Sequence, residues 1–178
     1  MATRNWIVDP FHSEVQFKVK HLMIATVTGS FSSFHSTIQT EDENFMKGNV
    51  EFTVDVDSIS TGSADRDGHL KSADFFDAEK YPQIRFVSTD FEVVDNDSSY
   101  ELYGDLTIRD VTKRVKLDTE FGGVVKDAFG NTKAGFSVHG KINRKEFGLT
   151  WNAVTEAGGV VVSEEVRIDC EIQLIVQQ

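Results

Sequence analysis

Glu165-Val166-Arg167-Ile168-Asp169-Cys170-Glu171-Ile172-Gln173-Leu174-Ile175-Val176 is the stretch whose reading decides the fold. Val166, Ile168, Cys170, Ile172, Leu174 and Val176 share one parity, and Glu165, Arg167, Asp169, Glu171 and Gln173 share the other. Side chains along a strand point to opposite faces at every second residue, so this run builds one apolar wall and one wet wall. Such a strand belongs to an antiparallel sheet with one buried face.

The same alternation recurs upstream. Val50, Phe52, Val54 and Val56 alternate with Glu51, Thr53, Asp55 and Asp57, and Val15, Phe17 and Val19 alternate with Gln16, Lys18 and Lys20. Leu102, Leu106 and Ile108 oppose Glu101, Asp105 and Arg109; Val115, Leu117 and Phe121 oppose Lys116, Asp118 and Glu120; Phe136, Val138 and Ile142 oppose Ser137, His139 and Lys141. A less regular strand is expected from Ile84 to Val93, and another from Ala25 to Gln39 carries Phe31 and Phe34 on opposite parities. Asp95-Asn96-Asp97 and Asp127-Ala128-Phe129-Gly130-Asn131 read as hairpin loops between such runs.

The count is about eight strands with short connections. Sequential antiparallel strands pair with their neighbours, and closure removes the exposed edges of so large a sheet. The expected fold is all-β: an extended eight-stranded antiparallel up-and-down barrel, lipocalin-like, occupying residues 1–178 as a single domain. One segment, near residues 62–81, loses the two-residue period. Ser63 ahead of Asp65 and Asp67 reads as a helix cap with acidic residues in the first turn, Ser72 with Asp74 as the start of a second short turn, and Pro82 as the stop. In a barrel such a helical insertion lies across an end or along the outside, and Leu70, Phe75 and Phe76 favour a cap over one mouth.

The formal net charge of -11, with no basic cluster in the sequence, argues against nucleic acid and against electrostatic docking on an anionic membrane. Cys170 is the only cysteine, so the fold does not depend on an internal disulfide. Met1-Ala2-Thr3-Arg4-Asn5 runs directly into a strand-like Trp6-Ile7-Val8, with no apolar stretch of secretory or membrane-spanning length. The chain as given reads as cytoplasmic, or as exported if a leader has been removed.

These segments resemble the YceI-like family of polyisoprenoid-binding, lipocalin-like proteins. The resemblance rests on Asp9-Pro10-Phe11-His12-Ser13, on Val27, Gly29 and Phe31, and on Arg66-Asp67-Gly68-His69-Leu70 with Asp74-Phe75-Phe76-Asp77 and Lys80-Tyr81-Pro82. It continues through Gly104, Leu106-Thr107-Ile108, Val111-Thr112, Ile142-Asn143-Arg144, Phe147-Gly148-Leu149 and Trp151, in order along nearly the whole chain. It implies a barrel whose long apolar interior holds an isoprenoid or similar lipid, commonly in a homodimer, with no fixed catalytic set.

An eight-stranded barrel is just wide enough to be packed solid or to hold one small ligand, so the apolar stripe alone fits both. Fourteen phenylalanines supply flat linings for an alkyl slot, and Gly29, Gly104 and Gly140, at wall-facing parities, are expected to leave room inside. Pockets enclose about 300–1,000 Å³, and a long isoprenoid is expected near the upper limit. The residues expected to line the tunnel are Phe17, Val19, Phe31, Phe52, Val54, Phe86, Leu102, Leu106, Phe136 and Val138, closed by Leu70, Phe75 and Phe76. Arg66, Asp67 and His69 are candidate head-group contacts or, equally, the groups that fix the insertion; Asn143, Arg144 and Trp151 are candidates for the rim of the opposite opening or for a strand corner. His21 shares the apolar parity of Val15, Phe17 and Val19 and reads first as hydrogen-bonded core and second as a ligand contact.

The five histidines, His12, His21, His35, His69 and His139, show no zinc-type spacing, so no metal and no cofactor are expected. No Gly-x-Ser-x-Gly elbow, phosphate loop or dinucleotide fingerprint is present, and Cys170 has no visible activator. The sequence reads as a non-catalytic carrier or store of a polyisoprenoid or comparable long-chain amphiphile. The alternatives are a fatty acid or fatty amide binding protein with a stress-related role, and a filled barrel acting as a protein interaction module.

Overall fold

A computed structural model describes residues 2–95, 98–152 and 161–177. The strands are β1 Thr3–Val8, β2 Glu14–His21, β3 Ala25–Phe31, β4 Phe34–Glu41, β5 Asn44–Asp55, β6 Ile59–Ser60, β7 Gln83–Asp95, β8 Ser99–Ile108, β9 Val111–Lys126, β10 Thr132–Asn143 and β11 Val162–Val176. One helix, α1 Ala64–Lys71, lies between β6 and β7. Pairing runs β1-β4-β5-β7-β8-β9-β10-β11 and returns from β11 to β1, closing an eight-stranded antiparallel barrel. The hairpin loop expected at Asp95-Asn96-Asp97 falls partly outside the described residues.

Two staves of the barrel are broken. One edge of β11 pairs first with β2, from Val162↔His21 to Glu171↔Glu14, and then with β1, from Leu174↔Val8 to Val176↔Trp6. β1 and β2 are thus two halves of one bent strand, interrupted by the turn Pro10–His12. The strand expected from Ala25 to Gln39 is likewise split into β3 and β4 at Ser32 and Ser33. That break resets the two-residue phase, which is why Phe31 and Phe34, on opposite parities, are both buried.

A carboxylate clamps each break. Asp9 accepts from the Phe11 N–H (3.1 Å), sits 2.9 Å from His12 Nδ1 and pairs with Lys133 Nζ of β10 at 3.1 Å. Burial alone would raise the Asp9 carboxyl, but the hydrogen bonds from His12, Lys133 and Phe11 outweigh it and hold the group below its ordinary value. Asp55 accepts from the Ser33 hydroxyl and from Gln83 Nε2 (3.1 Å), and these bonds hold it low as well.

The glycines do not leave the empty space expected of them. Gly29 faces Phe17 across the β2–β3 ladder, and a Cβ there would overlap the Phe17 ring. At Gly104 it would overlap the Phe86 ring and lie 2.5 Å from the Val87 carbonyl oxygen; at Gly140, opposite Leu117, it would lie 2.6 Å from Leu117 Cδ2. Each bare backbone position is already covered by a large side chain from the neighbouring strand. The consequence is still an open centre, because those side chains lie along the wall and do not project across the bore.

Alanine at Gly29 or Gly104 pushes the covering ring inward. Gly29→Ala and Gly104→Ala are each expected to lose about 1–3 kcal/mol of stability, read from urea unfolding midpoints, with Gly104→Ala the costlier because the Val87 backbone cannot yield.

Acid should loosen both breaks. Asp9 and Asp55 titrate below 3.8 in the folded chain. Their stabilisation is therefore complete above that value and lost as pH falls through the lower folded values. The urea midpoint is expected to drop as pH falls below the ordinary carboxylate value, and the double variant Asp9→Asn, Asp55→Asn should flatten that drop.

Candidate functional site

The barrel encloses a cavity of about 280 Å³ whose wall is almost wholly apolar. This is at the lower edge of the range of about 300–1,000 Å³ for ligand pockets, where the sequence suggested the upper end. The flat rings of Phe17 and Phe86 account for the narrow bore: they keep the centre open but line it thickly.

Both ends are obstructed. At one end Trp6, 1% exposed, packs on Phe45 with ring centroids 5.0 Å apart, and Phe45 lies 4.8 Å from Phe136 and 5.7 Å from Phe121. Trp6 Nε1–H donates to Thr40 Oγ1 at 2.9 Å, which satisfies the one polar atom of this aromatic plug. At the other end Leu70, Phe75 and Phe76 of the insertion line the cavity, with Phe76 edge-on to Phe31 at 6.3 Å. Ser63 Oγ caps α1 by accepting from the Arg66 N–H at 3.3 Å, as its position in the sequence implies.

The cavity wall includes Phe17, Val19 and Phe31 of β2 and β3, Phe52 and Val54 of β5, Phe86 of β7, Leu102 and Leu106 of β8, and Phe136 and Val138 of β10. Three further site expectations need correction. His21, though on the inward parity, is exposed at the last position of β2, where it still pairs with Val162 and Ala25, and is absent from the described wall. Arg66 is exposed too; its Nε–H donates to Thr61 Oγ1 (2.7 Å) and its Nη2–H to Thr61 O (2.6 Å), so it fastens the insertion. Trp151 is not at an opposite rim: its ring lies 4.7 Å from His69 and 5.3 Å from Phe75, on the outside of the same cap.

Asp67 and His69 are also engaged locally. The Thr61 N–H and hydroxyl donate to Asp67 Oδ1 at 2.8 and 2.6 Å, and His69 Nε2 lies 2.9 Å from Asp74 Oδ2. Other wall residues, such as Val50, Ile84, Ile108, Val115, Leu117 and Ile168, were legible in the alternation but were not singled out.

Arg144 was the least legible. It is 3% exposed and, among the described residues, is the only charged one in the cavity wall. Its Nε–H donates to Ser163 O (2.8 Å), Nη1 to Leu149 O (2.6 Å) and Trp151 O (2.8 Å), and Nη2 to Val162 O (3.2 Å). Burial pulls this guanidinium down from its ordinary value while the charge of Glu164 opposes that fall. Four carbonyls from two segments are thereby gathered on one planar fork, which Lys cannot reproduce.

Among the described residues of the cavity wall there is no His, Asp, Glu or Lys. Burial pushes the Cys170 thiol up to about 12, so it is not a nucleophile at neutral pH. On the outer wall the ligand atoms of His139, Asp169 and Glu171 lie within 4.8 Å of one another. Lys18 Nζ already pairs with Asp169 at 3.2 Å, and Ser137 Oγ–H donates to Glu171 at 2.8 Å. No helix of the described residues is long and apolar enough to cross a membrane.

An up-and-down barrel built around an apolar internal pocket is the class that fold and site define. The YceI-like domain matches residues 6–174, and the chain belongs to that family. A UPF0312 protein of Staphylococcus aureus (strain USA300) is 33% identical over 175 residues, covering 98% of this chain and 99% of the relative. Among solved structures, the YCEI protein of Campylobacter jejuni is 32% identical with a TM-score of 0.77, covering 89% of this chain and 90% of the other. BcnA of Burkholderia cenocepacia superposes with a TM-score of 0.80 at 23% identity, covering 93% and 98%. A polyisoprenoid binding domain from Saccharophagus degradans does so at 0.70 and 14% identity, covering 97% and 98%. These last two share the fold.

Removing the Arg144 fork should be costly. Arg144→Leu leaves buried carbonyls without donors and is expected to lose about 3 kcal/mol or more, with Arg144→Lys between it and the wild type, as measured by chemical denaturation.

Proposed function

We propose that this protein binds one long-chain amphiphile, a polyisoprenoid or comparable lipid, inside its barrel and carries or stores it without chemical turnover. The observation that carries this reading is the apolar-walled cavity, whose described lining holds no His, Asp, Glu or Lys. The tail binds by water exclusion at about 0.8 kcal/mol per buried methylene, so ten methylenes offer roughly 8 kcal/mol before the costs of association. The narrow bore favours a single slender chain over a fused ring system. That the Saccharophagus degradans domain is described as polyisoprenoid binding fits the same tail class. The open lumen speaks against the packed-barrel reading. Assembly as a homodimer belongs to the proposal through the family likeness, and exposed Phe11 and Phe129 give a second copy apolar surface to cover.

Native mass spectrometry of the purified protein should show one lipid per barrel, released by organic extraction, and should report the oligomeric state in the same spectrum. Val138→Trp, which fills the lumen with an apolar ring, is expected to fold, to keep the far-ultraviolet spectrum of the parent and to lose the lipid adduct. A folded Val138→Trp variant with undiminished lipid, or a parent that takes up no amphiphile, contradicts this function.

A further inference from the structure

With a plug at one end and a cap at the other, the side wall is the remaining approach to the lumen. The β9–β10 ladder runs from Lys126↔Thr132 to Leu117↔Gly140 and stops. The neighbouring ladders continue, β8–β9 to Ile108↔Val111 and β10–β11 to Asn143↔Glu165. On that register Lys116, Val115 and Arg114 of β9 stand opposite Lys141, Ile142 and Asn143 of β10 without rungs, with Lys113 one residue further along, level with Arg144, and the barrel has a seam. On the outside of that seam lies a groove of about 1080 Å³. Val115, Ile142 and Ile168 line both this groove and the lumen, so the two spaces share a thin apolar wall at the seam.

Charge distinguishes this groove from the rest of the surface. Six of the chain's 18 Lys and Arg residues line it, against five of its 29 Asp and Glu, in a chain whose net charge is -11. The five acids are Asp118, Glu146, Glu164, Glu165 and Asp169. Several cations there are already paired: Lys116 with Glu101 (3.6 Å) and Asp118 (3.9 Å), Lys141 with Glu165 (3.9 Å), and Arg114 with Asp90 (2.9 Å). Lys113 has no ion-pair partner among the described residues. It stands opposite Leu106 on the parity of Val115 and Leu117, an exposed cation on the apolar face of the sheet at the seam.

We infer that the seam is the site of the ligand's head group and that this group is an anion, a carboxylate or a phosphate, held by Lys113 at the edge of the gap. The inference rests on the proposed occupancy of the lumen by a lipid tail. A tail between Val115 and Ile142 places its head in the groove, where Lys113 supplies a positive charge that has no ion-pair partner among the described residues. Elsewhere on so acidic a surface an anion is repelled.

The test measures binding of two matched pairs, hexadecanoate with hexadecanol and farnesyl phosphate with farnesol, to the full chain at pH 8 and at low and high salt. The proteins are the wild type, Lys113→Glu, Lys113→Met and, as a distant charge control, Lys47→Glu. The wild type and Lys47→Glu should prefer the anionic member of at least one pair by tenfold or more, less so at high salt. Lys113→Met should lose most of that preference and Lys113→Glu all of it, with alcohol affinity unchanged in both. A preference confined to one pair identifies the head as carboxylate or phosphate. Equal binding of anion and alcohol by the wild type, or an undiminished preference in Lys113→Glu, overturns the head-group site and leaves lipid binding standing. If the wild type binds no member of either pair, the lumen reading falls and the head-group site with it.

Discussion

Bulk laid flat against bare backbone is the constraint on which the cavity depends. An eight-stranded bore is narrow enough for ordinary core side chains to fill it. Here the ring of Phe17 lies over Gly29, the ring of Phe86 over Gly104 and the side chain of Leu117 over Gly140, so three of the larger inward residues occupy wall and not centre. The glycines therefore act indirectly. They create no void of their own; they let their neighbours leave one, and the lumen inherits an aromatic lining with little polar surface.

Closure of the barrel depends on breaking two strands. A stave as long as Thr3 to His21 cannot follow a tight barrel without bending, and the turn Pro10–His12 supplies the bend. Asp9 and Asp55 hold the breaks in β1/β2 and β3/β4 by gathering donors from elements far apart in sequence, including Lys133 and Gln83. Arg144 does the same for the segment after β10 with four carbonyls. Polar groups thus define the shape of the shell while apolar groups define its contents. The function proposed for the protein uses the contents, and the head-group site uses the place where the shell is not sewn shut.

Much of this was legible. Strict alternation in β5, β8 and β11 identified the inward residues, and the cap of α1 at Ser63 followed from residue type and position. Where the reading failed, the reason is local geometry. Phe31 and Phe34 looked contradictory because parity counting assumes an unbroken strand, and the break at Ser32 and Ser33 restarts the count. His21 has inward parity but occupies the exposed last position of β2, so parity assigned a face without a depth. Of the two readings of Trp151, the opposite rim fails because nothing in the sequence says that the segment after β10 folds back onto the insertion. Lys113 was readable and missed: it interrupts the apolar parity of Val111, Val115 and Leu117.

The sequence alone determined that this chain forms alternating antiparallel strands, which residues face inward, and where a helix interrupts them, because those outcomes depend on side-chain periodicity and on caps within a few residues. Only the tertiary structure decided that the interior is hollow, how wide it is, where its wall stops being hydrogen-bonded and which cation stands there without a partner. Those properties depend on the register between strands and on which side chain covers which glycine, and both are set by neighbours in space that lie far apart along the chain.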